Sequence, residues 1–341
     1  MNTIVKDVDP LCVDKDIIRE AASIILSGGL VAFPTETVYG LGASCDIESA
    51  VRDIYAVKCR PTDNPLILHI ADASDFFKLT VNTAGYVPLL IEAFCPGPLT
   101  LVAKSARKYA CGSAGLDTIA IRMPNHPVAL ELIKQAGAMF APSANISGGI
   151  SPTTAAHVLN DLKDRVHCVL NGGACAVGIE STVADVTGDV PRILRPGAVT
   201  ANDIASVVGA CDAFVEPIAN NNPFSGGIKY TRYAPKANMR VVTGHPLAAA
   251  QAIIRLAHGK NAGVLATAQT MNLYPNSMIV INLGDRDRPE KISANLYKSL
   301  RELDAKVDYI FAEGIDEASG GAVMDRLLKA ARGSAMPAEE F

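Results

Sequence analysis

The sequence has no apolar run of the roughly 20 residues that a membrane-spanning helix needs. Its N-terminal residues also show no basic segment followed by a long apolar one. We therefore expect a cytoplasmic protein without a membrane partner. The sequence also has no excess of positive charge, because it contains 31 Lys and Arg residues and 35 Asp and Glu residues, which gives a formal net charge of −4. This balance argues against stable nucleic-acid binding over a broad surface, although it allows a local cationic pocket.

Several short motifs that would identify a site are absent as well. There is no G-x-x-x-x-G-K-[ST] phosphate loop, no G-x-G-x-x-G fingerprint and no G-x-S-x-G nucleophile elbow. His157, His167 and Cys168 lack metal-ligand spacing, so we predict no metal site built from side chains. The eight cysteines are scattered and none follows Cys211. Their placement favours reduced, mostly buried thiols over a disulfide framework or a zinc site.

The chain is long enough for two domains. Its 341 residues, 49% of them apolar, can bury two sizeable cores. Turn-forming residues are concentrated after Cys211, with Asn-Asn-Asn-Pro at 220–223 and Gly-Gly at 226–227. We predict a first domain over residues 1–211, a linker over 212–237 and a second domain over 238–341.

The first domain is organised around residues 28–69. This stretch opens with a short apolar run typical of a buried strand and passes through a polar loop that reaches Gly42. It continues as an amphipathic helix, for which Asp46 is the predicted N-cap. It ends with the cationic turn that begins at Lys58 and a second strand that closes on His69. Polar residues thus gather where strands end, which is where open α/β sheets bind ligands.

The strand and helix patterns predict an α/β fold in both halves. Up to residue 211 strands outnumber complete β-α-β units, so we expect a mixed, twisted sheet with helices. Beyond residue 238 strands alternate regularly with helices, which predicts a small parallel, Rossmann-like sheet. No catalytic cluster is evident in this second half.

Cationic side chains and small polar loops are the candidates for chemistry. Guanidinium groups bind phosphate and carboxylate bidentately, and loops at 143–149 and 178–182 offer hydroxyls and backbone N–H groups. Taken singly, these features also fit solubilising charges and ordinary turns. The cations at predicted strand ends or in loops are Lys58, Arg60, Arg122, Arg195, Lys229 and Arg232.

Six motifs occur in a fixed order along the chain. They are PTETVYGLG, Lys-Cys-Arg with Asn64 and His69 after it, TIAIRMP, APSAN-S-G, GIESTV and ILRPG. Together they resemble the YrdC-like domain of L-threonylcarbamoyladenylate synthases. The regular α/β half, which follows a KY..YAP linker, resembles the two-domain form of that family.

The resemblance implies a nucleotidyltransferase reaction. L-threonine, bicarbonate and ATP would be joined into threonylcarbamoyl-AMP, with release of pyrophosphate and with Mg²⁺ accompanying the ATP. Downstream tRNA threonylcarbamoyl transferase proteins would then modify adenosine 37 of tRNAs. The chemistry needs positioning and charge neutralisation rather than a covalent enzyme intermediate.

The resemblance also implies roles for individual residues. Lys58 and Arg60 would be the catalytic cations near the phosphates. The predicted threonine-binding residues are Thr37, His69, Arg122, Ser143 and Ser181. The predicted ATP-binding residues are Arg60, Asn64, Thr118, Asn145, Thr153, Arg195, Tyr230 and Tyr233.

The composition of the linker also predicts a role for it. Two tyrosines and two cations between about Asn220 and Pro235 predict a lid that closes over the nucleotide by stacking and charge. Packing of the tyrosines between the domains is the alternative. The chain has Arg232 where related linkers usually carry histidine.

The sequence is compatible with two other functions. One is an RNA-binding module of the YrdC-like type without its own catalysis, which the acidic net charge disfavours. The other is a carbamoyl-phosphate-dependent hydrogenase maturation enzyme. That enzyme would need acylphosphatase and zinc-finger segments, and this sequence has neither.

Overall fold

A computed structural model describes residues 2–109, 111–214 and 233–340. These residues form two compact units. The first contains the described chain up to Phe214, except for Gly148–Ser151 and Val177–Ile179. Those two segments belong to the second unit, together with the described chain from Tyr233 onward. Residues 215–232 of the predicted linker lie outside the described residues. Within the described ranges, no helix is long and apolar enough to cross a membrane.

The first unit is built on a mixed ten-stranded sheet, with the order β1-β8-β2-β3-β7-β4-β6-β5-β9-β10. Parallel and antiparallel pairs are interspersed along it. Its strands are β1 (Ile4–Asp7), β2 (Val31–Phe33), β3 (Gly40–Ser44), β4 (Ile67–His69), β5 (Leu99–Lys104), β6 (Thr118–Arg122), β7 (Met139–Phe140), β8 (Cys168–Asn171), β9 (Thr182–Asp185) and β10 (Arg192–Arg195). Its helices are α1 (Lys15–Leu26), α2 (Glu48–Lys58), α3 (Ala73–Leu79), α4 (Val87–Phe94), α5 (Pro127–Ala136), α6 (Ala155–Leu162) and α7 (Ala201–Val208).

The second unit is a five-stranded, all-parallel sheet with the order β13-β12-β14-β11-β15. The mixed sheet and this parallel sheet together confirm the predicted α/β fold class. Its strands are β11 (Asn238–Thr243), β12 (Ala262–Ala266), β13 (Ile279–Asn282), β14 (Tyr309–Glu313) and β15 (Ala335–Pro337). Its helices are α8 (Pro246–Ala257), α9 (Pro289–Asp304) and α10 (Glu317–Ala330).

Two local predictions around residue 42 were wrong. The predicted loop ends earlier than expected, because residues 40–42 belong to strand β3, in the interior of the sheet. A Cβ on Gly42 would lie 2.9 Å from the Phe33 ring and 2.8 Å from Met139 Sδ, so close packing requires this glycine. Helix α2 begins after Ile47 as N-cap, and Asp46 pairs with Arg107 at 2.7 Å instead of capping it.

The thiols are all free, as expected of reduced cysteines. Their burial differs from the prediction, however, because only Cys168 and Cys175 are buried. Cys12 and Cys59 are exposed, and the other four are half-buried.

In the second unit, Glu313 at the end of β14 is a fully buried carboxylate. Its oxygens accept hydrogen bonds from Thr267, Thr270, Tyr274 and Arg286. Because several donors and one cation satisfy this buried charge, we assign Glu313 a structural role at the end of this central strand.

Candidate functional site

The centre of the candidate site is a row of three side chains on neighbouring strands of the first unit. His69 pairs in register with Arg122, and Arg122 pairs with Thr100. Directly paired residues project from the same face of a sheet, and successive residues of a strand alternate between faces. The residues one position away, Leu68 and Ile121, belong to the main hydrophobic core. The row therefore lies on the face opposite that core.

Arg122 is a buried cation with a buried anion beside it. It is 5% exposed, and its Nη2 lies 2.7 Å from Oε1 of Glu36. Its Nε donates a hydrogen bond to the carbonyl oxygen of Gly97 at 3.3 Å. Glu36 comes from the polar loop after β2, so this loop and the end of β6 meet at one point. The ion pair places two charges of opposite sign side by side.

His69 is a neutral imidazole at neutral pH. Burial is the main cause that lowers its pKa to about 3, and the charge of Arg122 adds to the effect. Its Nδ1 lies 3.2 Å from the carbonyl oxygen of Ile67. Since a carbonyl only accepts, Nδ1 carries the proton and donates it to that oxygen. The other ring nitrogen, Nε2, is then unprotonated and can accept a hydrogen bond.

Ser181 connects the row to a second cation. Its Oγ lies 2.7 Å from Oγ1 of Thr100, and Arg195 Nη2 donates to the same Oγ at 3.1 Å. Arg195 also donates twice to the Ser181 carbonyl oxygen, at 2.8 and 3.0 Å. The predicted threonine-binding residue Ser181 and the predicted ATP-binding residue Arg195 are therefore in direct contact.

Lys58 holds the small polar loop that contains Ser143 and Asn145. Its side chain is buried, and its ammonium donates to the carbonyl oxygens of Ser143 and Asn145 and to Oδ1 of Asn145. The N–H of Ser147 donates to the Lys58 carbonyl oxygen at 2.8 Å. The loop is also joined to β3 by the bridge between Ser143 and Gly40. The cation predicted to lie near phosphates thus has a clear structural task.

Arg60 and Asn64 form a turn of their own. Arg60 Nη2 donates to Oδ1 of Asn64 at 2.7 Å and to the carbonyl oxygen of Pro65 at 2.8 Å. Its Nε donates to the Asn64 carbonyl oxygen at 3.1 Å. These two predicted ATP-binding residues are in contact with each other in the segment that precedes β4.

Three other predicted residues are buried in the first unit. Thr37 is fully buried and its Oγ1 lies 2.9 Å from Oγ1 of Thr35, in the same loop as Glu36. Thr118 begins β6, so it is about 13 Å along the strand from Arg122 at 3.3 Å per residue. Thr153 precedes α6, and its N–H donates to Nδ1 of His157 at 3.2 Å.

Tyr233 is the one predicted site residue that the structure describes in the second unit. Its ring stacks on Tyr297 with centroids 5.5 Å apart, and the guanidinium of Arg326 lies 5.4 Å from its centroid. Tyr230 and most of the predicted lid lie outside the described residues. Their roles stay predictions.

Sequence reasoning assigned no role to two residues in this row and loop, Glu36 and Thr100. Glu36 was visible as the only acidic residue in the loop after β2, but nothing in its spacing indicated an arginine partner. Thr100 looks like an ordinary strand residue until the register places it beside Arg122. Both residues owe their place in the site to Arg122, which lies far from them in the sequence.

The described part of the chain contains no group of three or more His, Cys, Asp or Glu residues placed to bind a metal ion.

Comparison with known proteins places both units in recognised families. A model of the Sua5/YciO/YrdC type, described as "Telomere recombination", matches residues 23–197. A second model, described as "Threonylcarbamoyl-AMP synthase, C-terminal domain", matches residues 199–332.

Similar full-length proteins include curated threonylcarbamoyl-AMP synthases. The Bacillus subtilis protein is 42% identical over 333 residues, which cover 95% of this chain and 96% of that protein. The Pyrococcus abyssi protein is 42% identical over 326 residues, covering 92% and 93% of the two chains. The crystal structure of P. abyssi Sua5 complexed with L-threonine matches with a TM-score of 0.91 and 39% identity, covering 98% of this chain and 99% of that one.

Proposed function

The chain belongs to the threonylcarbamoyl-AMP synthase family, and on that premise we propose that it forms threonylcarbamoyl-AMP from L-threonine, bicarbonate and ATP. The observation that carries the proposal is the hydrogen-bonded connection from Thr100, beside Arg122, through Ser181 to Arg195. It brings a cation suited to an amino-acid carboxylate close to a cation suited to a nucleotide. The reaction requires this proximity of its two large substrates.

The amino acid fits the row of side chains on the sheet. Arg122 can bind the α-carboxylate, because guanidinium and carboxylate pair strongly in a buried site. The neutral His69 can accept a hydrogen bond from the threonine hydroxyl through Nε2. Thr37 and Ser181 add hydroxyls on either side. Serine should be the poorer substrate, because a methyl group in an apolar pocket contributes about 1–3 kcal/mol.

The chemistry then needs orientation and charge neutralisation. The ammonium group of threonine first loses a proton to solvent, and the resulting amine and bicarbonate give a carbamate with loss of water. A carbamate oxygen attacks the α-phosphorus of ATP, and pyrophosphate leaves. Arg60 and Arg195 are the cations that we assign to the phosphates, and Lys58 acts by fixing the loop that carries Ser143 and Asn145. Mg²⁺ bound to the phosphates of ATP would neutralise further charge.

The product is a mixed anhydride, so a downstream transferase must consume it. We propose that tRNA threonylcarbamoyl transferase proteins do so in the cytoplasm. A catalytically silent RNA-binding module is not favoured, because the net charge is −4 and the full-length relatives are named as synthases.

The direct test is pyrophosphate release from the purified full chain, with each substrate omitted in turn. We expect release only when ATP, L-threonine and bicarbonate are all present, and slower release with serine. Equal release without threonine would reduce the protein to an ATPase and contradict the proposal.

A further inference from the structure

Glu36 is a buried carboxylate that the mechanism above does not use. The residue is only 8% exposed, and neither carboxylate oxygen has a hydrogen-bond donor among the described residues. Buried polar groups are nearly always hydrogen-bonded, so an exception beside a substrate site calls for an explanation.

The contact of Glu36 with Arg122 does not satisfy either group. Oε1 of Glu36 and Nη2 of Arg122 are 2.7 Å apart, yet no N–H of Nη2 is aligned to donate to a carboxylate oxygen. A structural arginine–carboxylate pair normally has aligned, often bidentate, hydrogen bonds, which offset the cost of burying two charges. The two charges offset each other, but both carboxylate oxygens of Glu36 and Nη2 of Arg122 lack hydrogen-bond partners among the described residues.

We propose that Glu36 binds the α-ammonium group of L-threonine while Arg122 binds the α-carboxylate. The inference rests on the proposed function and adds a positioning residue for the amino acid. In an amino acid the ammonium and the carboxylate are separated by a single carbon atom. A protein anion and cation in contact are therefore the complementary arrangement.

Charge balance supports the same assignment. Glu36 and Arg122 sum to zero, and so does the threonine zwitterion, so binding leaves the buried site neutral. Without Glu36, the same complex would bury one uncompensated positive charge, which is costly in a site shielded from water. The row formed by His69, Arg122 and Thr100 places this pair among the residues that we assign to threonine.

The test compares L-threonine with (3R)-3-hydroxybutanoate, which has hydrogen in place of the ammonium group. Calorimetric titration of the full chain gives the ratio of the two dissociation constants for wild type and Glu36→Gln. The preference for threonine should fall roughly tenfold to a hundredfold in Glu36→Gln, the range expected for one charge-assisted hydrogen bond. Glu92→Gln, the same change at an exposed position, is the matched control and should keep the wild-type preference.

A purely structural role for Glu36 would weaken both ligands alike or strengthen both by freeing Arg122. An unchanged preference in a folded Glu36→Gln protein therefore overturns the inference. Glu36→Asp keeps the charge and should recover part of the preference. Glu36→Ala serves as the test variant if Glu36→Gln does not fold, and a wild-type preference in Glu36→Ala would then count against the assignment. Wild-type protein that binds no threonine would instead refute the proposed function.

Discussion

Replacing Lys58 by methionine should loosen the polar loop that it holds and lower activity through that loop. Lys58 is 1% exposed, and its ammonium group donates to the carbonyl oxygens of Ser143 and Asn145. Methionine fills much the same volume but donates nothing. The two carbonyl groups would then lose a buried donor, and Ser143 and Asn145 would lose their fixed positions.

The expected loss of stability follows from the burial of this contact. Removing the donor leaves two buried carbonyl oxygens unsatisfied, and each such group costs about 1–3 kcal/mol, or about 2–6 kcal/mol for the two. For a unit of this size, 1 kcal/mol corresponds to about 2–4 °C in melting temperature. We therefore expect the transition of the first unit to fall by roughly 4–24 °C.

The assay pairs calorimetric unfolding with steady-state kinetics at a temperature where the variant is folded. Lys134→Met makes the same change at an exposed position of α5 and is the control. We expect raised KM values for both threonine and ATP in Lys58→Met, because the loop carries predicted residues for both. A melting temperature equal to that of the control would refute the idea that this ammonium holds the loop.

Three further outcomes follow from the site. Arg60→Ala should lower kcat/KM roughly tenfold to a hundredfold, since a hydrogen bond to a charged group contributes about 1.5–3 kcal/mol; normal kinetics with a lowered melting temperature would limit Arg60 to bracing the turn at Asn64. Arg122→Ala should raise the KM for threonine and leave that for ATP unchanged, and the opposite pattern would exchange the two assignments. His69 has a folded-state pKa lowered to about 3 by burial, so the unfolded chain binds more protons between pH 3 and 6.5. Stability should therefore fall on acidification through that window, by up to about 1.4 kcal/mol per pH unit. In denaturant titrations His69→Gln should flatten this dependence, and an unchanged slope would contradict the assigned pKa.

The fold was predictable where local pattern and burial agree. Alternation of strands and helices beyond residue 238 predicted the parallel sheet, which the structure confirms. The strands without a prediction include the edge strand β1, where Ile4 and Val5 are 49% and 46% exposed. Such strands gain order from a neighbour in the sheet, and their own residues carry no buried periodicity.

The types of residue in the site could be predicted from the sequence, but the contacts between them could not. The motifs named Lys58 and Arg122, but only the tertiary structure shows that Lys58 contacts backbone carbonyls and that Arg122 contacts Glu36. A cation in a loop has the same local sequence whether it binds phosphate or a carbonyl. The contacts of Lys58 with carbonyl oxygens join residues 85 or more positions apart, so no local pattern could show them.

The distribution of the site over strands and loops has a consequence for how it works. His69, Arg122 and Thr100 lie on strands whose alternate side chains are fixed in the hydrophobic core. The proposed threonine site is therefore rigid and needs little reorganisation before binding. The candidate ATP residues Arg60, Asn64 and Asn145 lie in loops, whose positions depend on hydrogen bonds from Arg60 and Lys58. Substitutions that loosen these loops should therefore weaken nucleotide binding and should weaken threonine binding only through Ser143, whereas complete loss of threonine binding requires a change in the row itself or in Glu36.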